Sequence, residues 1–203
     1  MKKFTFVLLW LLVSVYASAQ NAPRRSELKP TVEVVAPDHV YPTTTESLRS
    51  LDFHNLQFRI FDEHGKSMLV AKLRNGKSES KWTLENGSNW LRLDWVRFVD
   101  EESPLAFASL SWVTTGASAS DFGVVQVFTL REGHPVVVQQ ILFNTRGCGA
   151  SAALSFHPLL LTIKGVHGWE HCCPNTLDVI KFAWAGGSFQ RTSHHPVPMP
   201  ETC

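Results

Sequence analysis

The stretch that decides the fold is residues 122–143, FGVVQVFTLREGHPVVVQQILF, in which two runs rich in valine and phenylalanine flank a short polar segment. The polar segment centres on Glu132-Gly133, and its length and glycine are typical of a tight hairpin turn. A two-residue turn there predicts the cross-strand pairs Phe128–Val137 and Val127–Val138. Both faces of this hairpin are largely apolar, so we predict that it lies centrally in an antiparallel sheet.

Outward from this hairpin, the chain repeats short apolar or alternating runs separated by turn residues such as Asn75-Gly76, Asn86-Gly87 and Gly186-Gly187. Cap-type residues at 43–47, which precede Leu48 and Leu51, predict one short helix. No helical periodicity is long enough for crossover helices. We therefore predict a mainly β protein, an antiparallel, sandwich-like single domain with one short N-terminal helix. The predicted strands are 56–61, 68–73, 81–85, 90–99, 105–113, 122–130, 135–143, 159–164, 178–184 and 188–192.

The first twenty residues, MKKFTFVLLWLLVSVYASAQ, have the pattern of a secretory signal peptide cut near Ala19-Gln20. The apolar run is roughly a dozen residues long, whereas a membrane-spanning helix needs about 20. This segment contains no cysteine for a lipid anchor. We expect a signal peptide at 1–19, an extended proline-containing linker at 20–42, a β-rich domain at 43–193 and a proline-rich tail at 194–203. The mature chain is then periplasmic or secreted, without a transmembrane segment or lipid anchor.

The composition favours a packed core and gives no reason to expect nucleic acid as a partner. The chain is 44% hydrophobic, with seven tryptophans and thirteen phenylalanines, which argues against general disorder. Its formal net charge is +1, so no strong electrostatic attraction to a polyanion is expected.

Four cysteines, Cys148, Cys172, Cys173 and Cys203, enter an oxidising compartment if the chain is exported. An even number of cysteines there favours disulfides. A bond from Cys148 to either member of the adjacent pair would stabilise the fold by roughly 3 to 4 kcal/mol in the chain-entropy model. The remaining member would then bond Cys203, and the sequence does not decide which of the two takes which partner.

Three other interpretations of the loop that carries Cys172-Cys173 stay open. A bond within the pair would strain the intervening peptide and suggest a redox switch. A metal site would use His167 and His171, but glycine and proline around them argue against the helix that would bring them together. Catalysis lacks a recognisable nucleophile motif. We accordingly predict no cofactor, and no metal site except the disfavoured His167–His171 pair.

A candidate binding surface combines two polar loops. Thr115 and Ser118 lie in the small-residue stretch that follows the strand at 105–113. Trp169, His171 and Asn175 lie in the cysteine-bearing loop, where a tryptophan between polar neighbours is suited to contact a partner.

The late motif His171-Cys172-Cys173-Pro174, followed by a strand, Gly186-Gly187 and a final strand, resembles bacterial exported proteins of the LppP/LprE type. The similarity extends over about residues 45–192. The resemblance implies an envelope compartment and a β architecture, and the family supplies no established reaction. This chain departs from the family's pattern because the lipid-attachment cysteine is missing.

Together these observations predict an exported, disulfide-stapled, non-catalytic protein of the bacterial envelope that binds an unknown ligand or protein. The alternative is a small periplasmic hydrolase or a thiol-redox protein that uses the loop 167–173.

Overall fold

The computed structural model describes residues 32–78, 82–84, 87–100, 103–114, 122–145, 149–167 and 175–200. Fourteen strands are formed within these residues. They are β1 (Val32–Val35), β2 (His39–Val40), β3 (Gln57–Phe61), β4 (Ser67–Arg74), β5 (Lys77–Ser78), β6 (Trp82–Leu84), β7 (Gly87–Phe98), β8 (Ala106–Thr114), β9 (Phe122–Arg131), β10 (His134–Asn144), β11 (Ser151–Ser155), β12 (Leu160–Val166), β13 (Thr176–Ala185) and β14 (Ser188–Pro198).

The strands form two antiparallel sheets, which confirms the predicted fold class. The larger sheet has ten strands in the order β1-β10-β9-β8-β7-β5-β4-β3, with β2 also paired to β10 and β6 to β7. It curls into a nearly closed, barrel-like shape. The smaller sheet has the order β11-β12-β13-β14. In place of the short helix, the described residues form two 3₁₀ turns, Leu48–Ser50 and Phe53–Asn55.

The β9–β10 hairpin confirms one predicted pair and corrects the other. Glu132 and Gly133 form the turn with φ values of 51° and 76°, as a type I′ turn requires. Phe128 pairs with Val137 as predicted, but Val127 pairs with Gln139 because a β-bulge intervenes. The bulge absorbs one residue at Val138, so every later residue of β10 moves by one position relative to β9.

The hairpin lies between two hydrophobic cores, as its apolar faces predict. On its inner face, Val124, Phe128 and Val137 pack with residues of β3, β4 and the two 3₁₀ turns inside the curled sheet. On its outer face, Val125 and Ile141 pack with residues of the smaller sheet. Alternate residues of the same strands therefore serve both cores, which explains the absence of a polar face.

Two adjacent glutamines of β10 each hydrogen-bond to the backbone of one edge strand, Gln140 on the inner face and Gln139 on the outer face. On the inner face, Gln140 Oε1 accepts from Phe61 N at 3.1 Å, and its Nε2 donates to Phe61 O at 2.7 Å. On the outer face, Gln139 Oε1 accepts from Phe189 N at 2.8 Å, and its Nε2 donates to Phe189 O at 3.0 Å. Each amide thus satisfies both backbone groups of one edge residue, as a neighbouring strand would.

The sheets extend beyond the boundaries of the domain predicted from the sequence. β1 and β2, in the segment interpreted as linker, both pair with β10, and Tyr41 is buried. β14 continues through the segment interpreted as a proline-rich tail and pairs with β13 as far as Pro198. Proline is tolerated there because β14 is an edge strand, where a missing backbone N–H need not interrupt the sheet.

Candidate functional site

The most distinctive polar cluster among the described residues is a buried carboxylate between two imidazoles. Asp178 has a side chain only 2% exposed, and its oxygens contact one histidine each. The distance from His167 Nδ1 to Asp178 Oδ2 is 2.9 Å, and that from His194 Nε2 to Asp178 Oδ1 is also 2.9 Å. Because a buried charge is costly unless it is paired, these contacts help to stabilise Asp178 inside the protein.

The register of the smaller sheet brings these three residues together. Asp178 on β13 lies opposite Gly165 of β12 and Pro196 of β14. His167 follows Gly165 by two residues and His194 precedes Pro196 by two, so both occupy diagonal positions on the same face as Asp178. Ile180, on the same face of β13, is buried in the core between the sheets. The cluster therefore lies at the rim of that core.

The contacts determine how each imidazole is oriented. To donate to the carboxylate, His167 carries a proton on Nδ1 and His194 carries one on Nε2. When the rings are neutral, Nε2 of His167 and Nδ1 of His194 are left as acceptors. The two side chains are 55% and 43% exposed, so solvent and small molecules reach them. A histidine held in one tautomer by a buried carboxylate is suited to general-base chemistry.

Metal binding receives no support from the described part of the chain, where no group of three or more His, Cys, Asp or Glu side chains is arranged to hold an ion. Because His167 Nδ1 contacts Asp178, only Nε2 of His167 is available to bind another group. His171, its partner in the metal hypothesis, lies outside the described residues.

The described neighbours of the cysteine-bearing segments meet at one end of the smaller sheet. A methyl group built on Gly149 would lie 3.1 Å from Leu177 Cδ1 and 3.4 Å from ring carbons of Pro200. The backbone N of Met199 donates to Asn175 O at 2.9 Å. In sequence, Gly149 follows Cys148 directly, Asn175 is two residues after Cys173, and Pro200 is three residues before Cys203.

The residues of the predicted binding surface are mostly outside the described ranges. Asn175 is exposed and precedes β13, and its side-chain Oδ1 accepts from Thr176 Oγ1 at 2.9 Å. The other predicted site residues lie outside the described ranges; they are Thr115, Ser118, Trp169, His171, Cys148, Cys172, Cys173 and Cys203.

Described residues that flank the two loops are connected through β10. Phe122, which follows the loop 115–121, pairs with Asn144 at the end of β10. From Asn144 the chain needs only five residues to reach Gly149, beside Leu177 and Pro200. Five residues of extended chain span at most about 18 Å. The Cα atoms of Asn144, beside Phe122, and of Gly149, beside Leu177, are therefore at most about 18 Å apart.

Sequence reasoning missed Asp178 and His194 as members of a cluster. The sequence pattern predicts Asp178 only as a residue of a strand, and it places His194 in a proline-rich tail. A signal was present, because a carboxylate within the apolar run 177–184, LDVIKFAW, needs a partner when the strand is buried. The partner's identity depends on strand register, which the sequence does not specify.

Comparison with known proteins adds no relative to these observations. No family model matches the chain, and neither the curated proteins nor the solved structures contain a significant match. Among the described residues, no helix is both long and apolar enough to cross a membrane. The resemblance to LppP/LprE-type proteins stays a prediction.

Proposed function

We propose that this chain is an exported, disulfide-stapled, non-catalytic protein of the bacterial envelope that acts as a binding or interaction module. Its binding surface consists of the loops 114–120 and 167–175, with Trp169 as the main contact residue. Export follows from the N-terminal pattern at 1–19, and the periplasm or the cell exterior supplies the oxidising conditions that the four cysteines need.

The observation that carries this proposal is the meeting of Gly149, Asn175, Met199 and Pro200 at one end of the smaller sheet. These four residues lie one to four positions from the nearest cysteine in the sequence. The three cysteine-bearing segments therefore start from the same end of the sheet. Disulfide formation requires Cα atoms about 4.4 to 6.8 Å apart. Segments that start from one place are compatible with this requirement, and bonds between them would hold the proposed binding loop.

The disulfides are tested by peptide mapping of the exported protein without reduction, together with a count of reactive thiols. The expected result is no reactive thiol in the native protein and two linkages, which join Cys148 and Cys203 to the Cys172-Cys173 pair. A bond within the pair, or a reactive thiol at either member, would contradict the staple.

Binding is tested by tryptophan fluorescence of the protein during titration with envelope glycans and with phospholipid vesicles. A ligand of the proposed surface should change the emission of the wild-type protein and lose that effect in Trp169→Phe. Trp184→Phe is the matched control, because Trp184 packs against the core between the sheets and should respond as the wild type does. If no such ligand changes the emission, or if Trp169→Phe responds normally, the proposed surface is wrong.

A second candidate, a small hydrolase that uses the loop 167–173, is favoured by one observation. Asp178 orients His167, the residue directly before the cysteine-bearing loop, through a contact of 2.9 Å. Such a carboxylate–imidazole pair can remove a proton from a nucleophile or from water.

The two histidines of the cluster provide an internal control for this second candidate. Hydrolysis of a chromogenic ester is measured for wild type, His167→Gln and His194→Gln. A hydrolase of this kind would lose most of its activity in His167→Gln and keep it in His194→Gln, since both rings contact the same carboxylate but only His167 adjoins the loop. Equal rates in all three proteins would exclude His167 as a general base for this substrate.

A further inference from the structure

Four basic residues lie together on the outer face of the larger sheet. Arg74 and Lys77 flank the two-residue turn Asn75-Gly76 and are directly paired across β4 and β5. Lys77 is in turn directly paired with Arg92 of β7. Lys72 is the next outward residue before Arg74 in the alternating burial pattern of β4. All four are exposed, so the registers of three strands concentrate positive charge on this face although the net charge of the chain is only +1.

The charges of this cluster are only partly balanced within the described part of the chain. Arg92 donates to Asp94 Oδ1 from Nε at 2.9 Å and from Nη2 at 2.8 Å. The other oxygen of Asp94 accepts from Ser111 Oγ. The three remaining cations form no ion pair with a described acid. Because like charges directly opposite each other destabilise a sheet, an anion bound across Arg74 and Lys77 would relieve their repulsion.

Exposed apolar side chains continue the same face along β4. Met68 and Val70 are 48% and 42% exposed, and they occupy the alternate positions that lead to Lys72 and Arg74. They are two of the four large hydrophobic residues found exposed among the described residues. The acids of the turn at 62–66 lie beyond Met68, at the end of β4 away from Arg74. The outward side of β4 therefore presents apolar side chains followed by cations.

This combination selects an anionic lipid surface over a dissolved polyanion. A nucleic acid or an acidic glycan would neutralise the cations but leave Met68 and Val70 in water. A bilayer surface supplies negative headgroups and, directly beneath them, an apolar region that accepts such side chains. Electrostatic attraction and the burial of apolar area both contribute to binding of this kind. One partner thus accounts for both features of the face.

We propose that the β4–β5 face (Met68, Val70, Lys72, Arg74 and Lys77) docks onto membranes that contain anionic phospholipids. This inference goes beyond the proposed function, since the face includes neither the cysteines nor the loops 114–120 and 167–175. The smaller sheet packs against the outer side of β9 and β10. It therefore leaves the β4–β5 face open to a membrane.

The test is sedimentation of the full mature chain with lipid vesicles at low ionic strength. Vesicles of phosphatidylglycerol and phosphatidylcholine in equal parts are the probe, and vesicles of phosphatidylcholine alone are the control. The wild-type protein should sediment with the first and stay in solution with the second. Added sodium chloride should weaken the binding, because it screens the attraction between exposed charges.

Two variants with the same change of net charge separate the face from the charge of the whole chain. Lys72→Gln/Arg74→Gln/Lys77→Gln should lower the partition coefficient roughly a hundredfold, since each cation near an anionic surface contributes about fivefold. The matched control removes three cations from exposed positions of the smaller sheet, Lys164→Gln/Lys181→Gln/Arg191→Gln. It should lower the partition coefficient by no more than about threefold. Circular dichroism confirms that both variants are folded.

The apolar part of the face has its own variant. Met68→Ser/Val70→Ser keeps every charge and should weaken binding to the anionic vesicles about tenfold, because less apolar area is buried in the membrane. Trp169→Phe alters a loop of the proposed binding surface and should sediment as the wild type does. Failure of the docking face and failure of that surface are therefore distinguishable.

The outcomes decide between the docking face and its rivals. A large loss in the β4–β5 charge variant, together with weaker binding by Met68→Ser/Val70→Ser, supports the proposal. Absence of binding to the anionic vesicles, equal losses in the two charge variants, or a loss confined to Trp169→Phe would overturn it. Undiminished vesicle binding by Met68→Ser/Val70→Ser would also overturn it, since the cations alone would then act, as they would on a dissolved polyanion such as polygalacturonate.

Discussion

Gln139 and Gln140 are neighbours in sequence, but they fasten different parts of the molecule. Both are buried, and each makes two hydrogen bonds to the backbone of one phenylalanine. They differ in their surroundings. Gln140 Oε1 also accepts from Gln126 Nε2 at 3.1 Å, and Gln126 donates to Arg59 O at 2.7 Å. The inner face therefore has a network of two amides where the outer face has one isolated amide.

This difference shows that one hairpin can connect two hydrophobic cores to their edge strands through different numbers of hydrogen bonds. On the inner face, β3 belongs to the same sheet as β10, and the glutamines attach this end strand to β9 and β10 near the opposite end of the sheet. On the outer face, β14 belongs to the second sheet, and Gln139 joins two separate sheets. Hydrogen bonds that share a group polarise one another, so the network should contribute more to the free energy of unfolding than the isolated amide does.

Replacement of Gln140 by leucine should give the largest loss of stability. It leaves the N–H and C=O of Phe61 buried without partners and removes an acceptor from Gln126, for a loss of about 3 kcal/mol in the free energy of unfolding. The measurement is equilibrium urea unfolding followed by fluorescence. Gln57→Leu, on the exposed side of β3, is the control and should change stability by less than about 0.5 kcal/mol.

Replacement of Gln139 by leucine should cost less, about 2 kcal/mol, because only the two backbone groups of Phe189 lose their partner. The same unfolding measurement gives the comparison directly. A loss equal to or greater than that of Gln140→Leu would show that the network with Gln126 adds nothing. The double variant sharpens the result, since side chains on opposite faces should have nearly additive effects.

Substitution of Gly123 by alanine tests the tightness of the outer face. Gly123 pairs with Phe143, and a methyl group at this position would lie 2.2 Å from Phe143 Cζ. The ring has to move within a packed core, which should destabilise the protein by about 1 to 2 kcal/mol. Adding Phe143→Leu to the variant should recover part of this loss if the clash is its cause. A Gly123→Ala protein as stable as wild type would show that the ring moves without strain.

The sequence predicts most strands and their turns, though not β1, β2, β5 and β11, because alternation and turn residues are local signals. Glu132-Gly133 fixed the hairpin, and Asn75-Gly76 turns with φ values of 53° and 79°. The positions of the β-bulges, by contrast, are not predicted by local signals. Alternation predicts Leu91, Leu93 and Trp95 on one face, but a bulge between Leu93 and Trp95 sends the tryptophan to the opposite core.

The bulge in β10 explains why the glutamine pair also escaped prediction. In the uninterrupted register Gln139 would lie opposite Gln126, whereas the bulge places Gln140 there. Whether a bulge forms depends on which side chains the two cores accept, and the sequence of one strand does not contain that information. The Asp178 cluster has the same origin, because its two diagonal contacts require the registers of three strands.

The smallest expected effect concerns the pH dependence of the inner face at His39. Burial and the charge of Arg59 hold the pKa of His39 below its ordinary value of 6.5. As the pH falls below that value, the unfolded chain takes up the proton first, so stability present at neutral pH is lost progressively toward the lower folded pKa.

His39→Phe keeps ring contacts with Tyr41 and Phe61 and removes this titration. Its urea midpoint should therefore fall less than that of wild type between about pH 7.5 and about pH 5.5. The other histidines titrate in both proteins, and His64→Phe at an exposed turn is the matched control. An equal fall in wild type and His39→Phe would mean that the surroundings of His39 admit the protonated ring without cost, and the proximity of Arg59 would then have no consequence for stability.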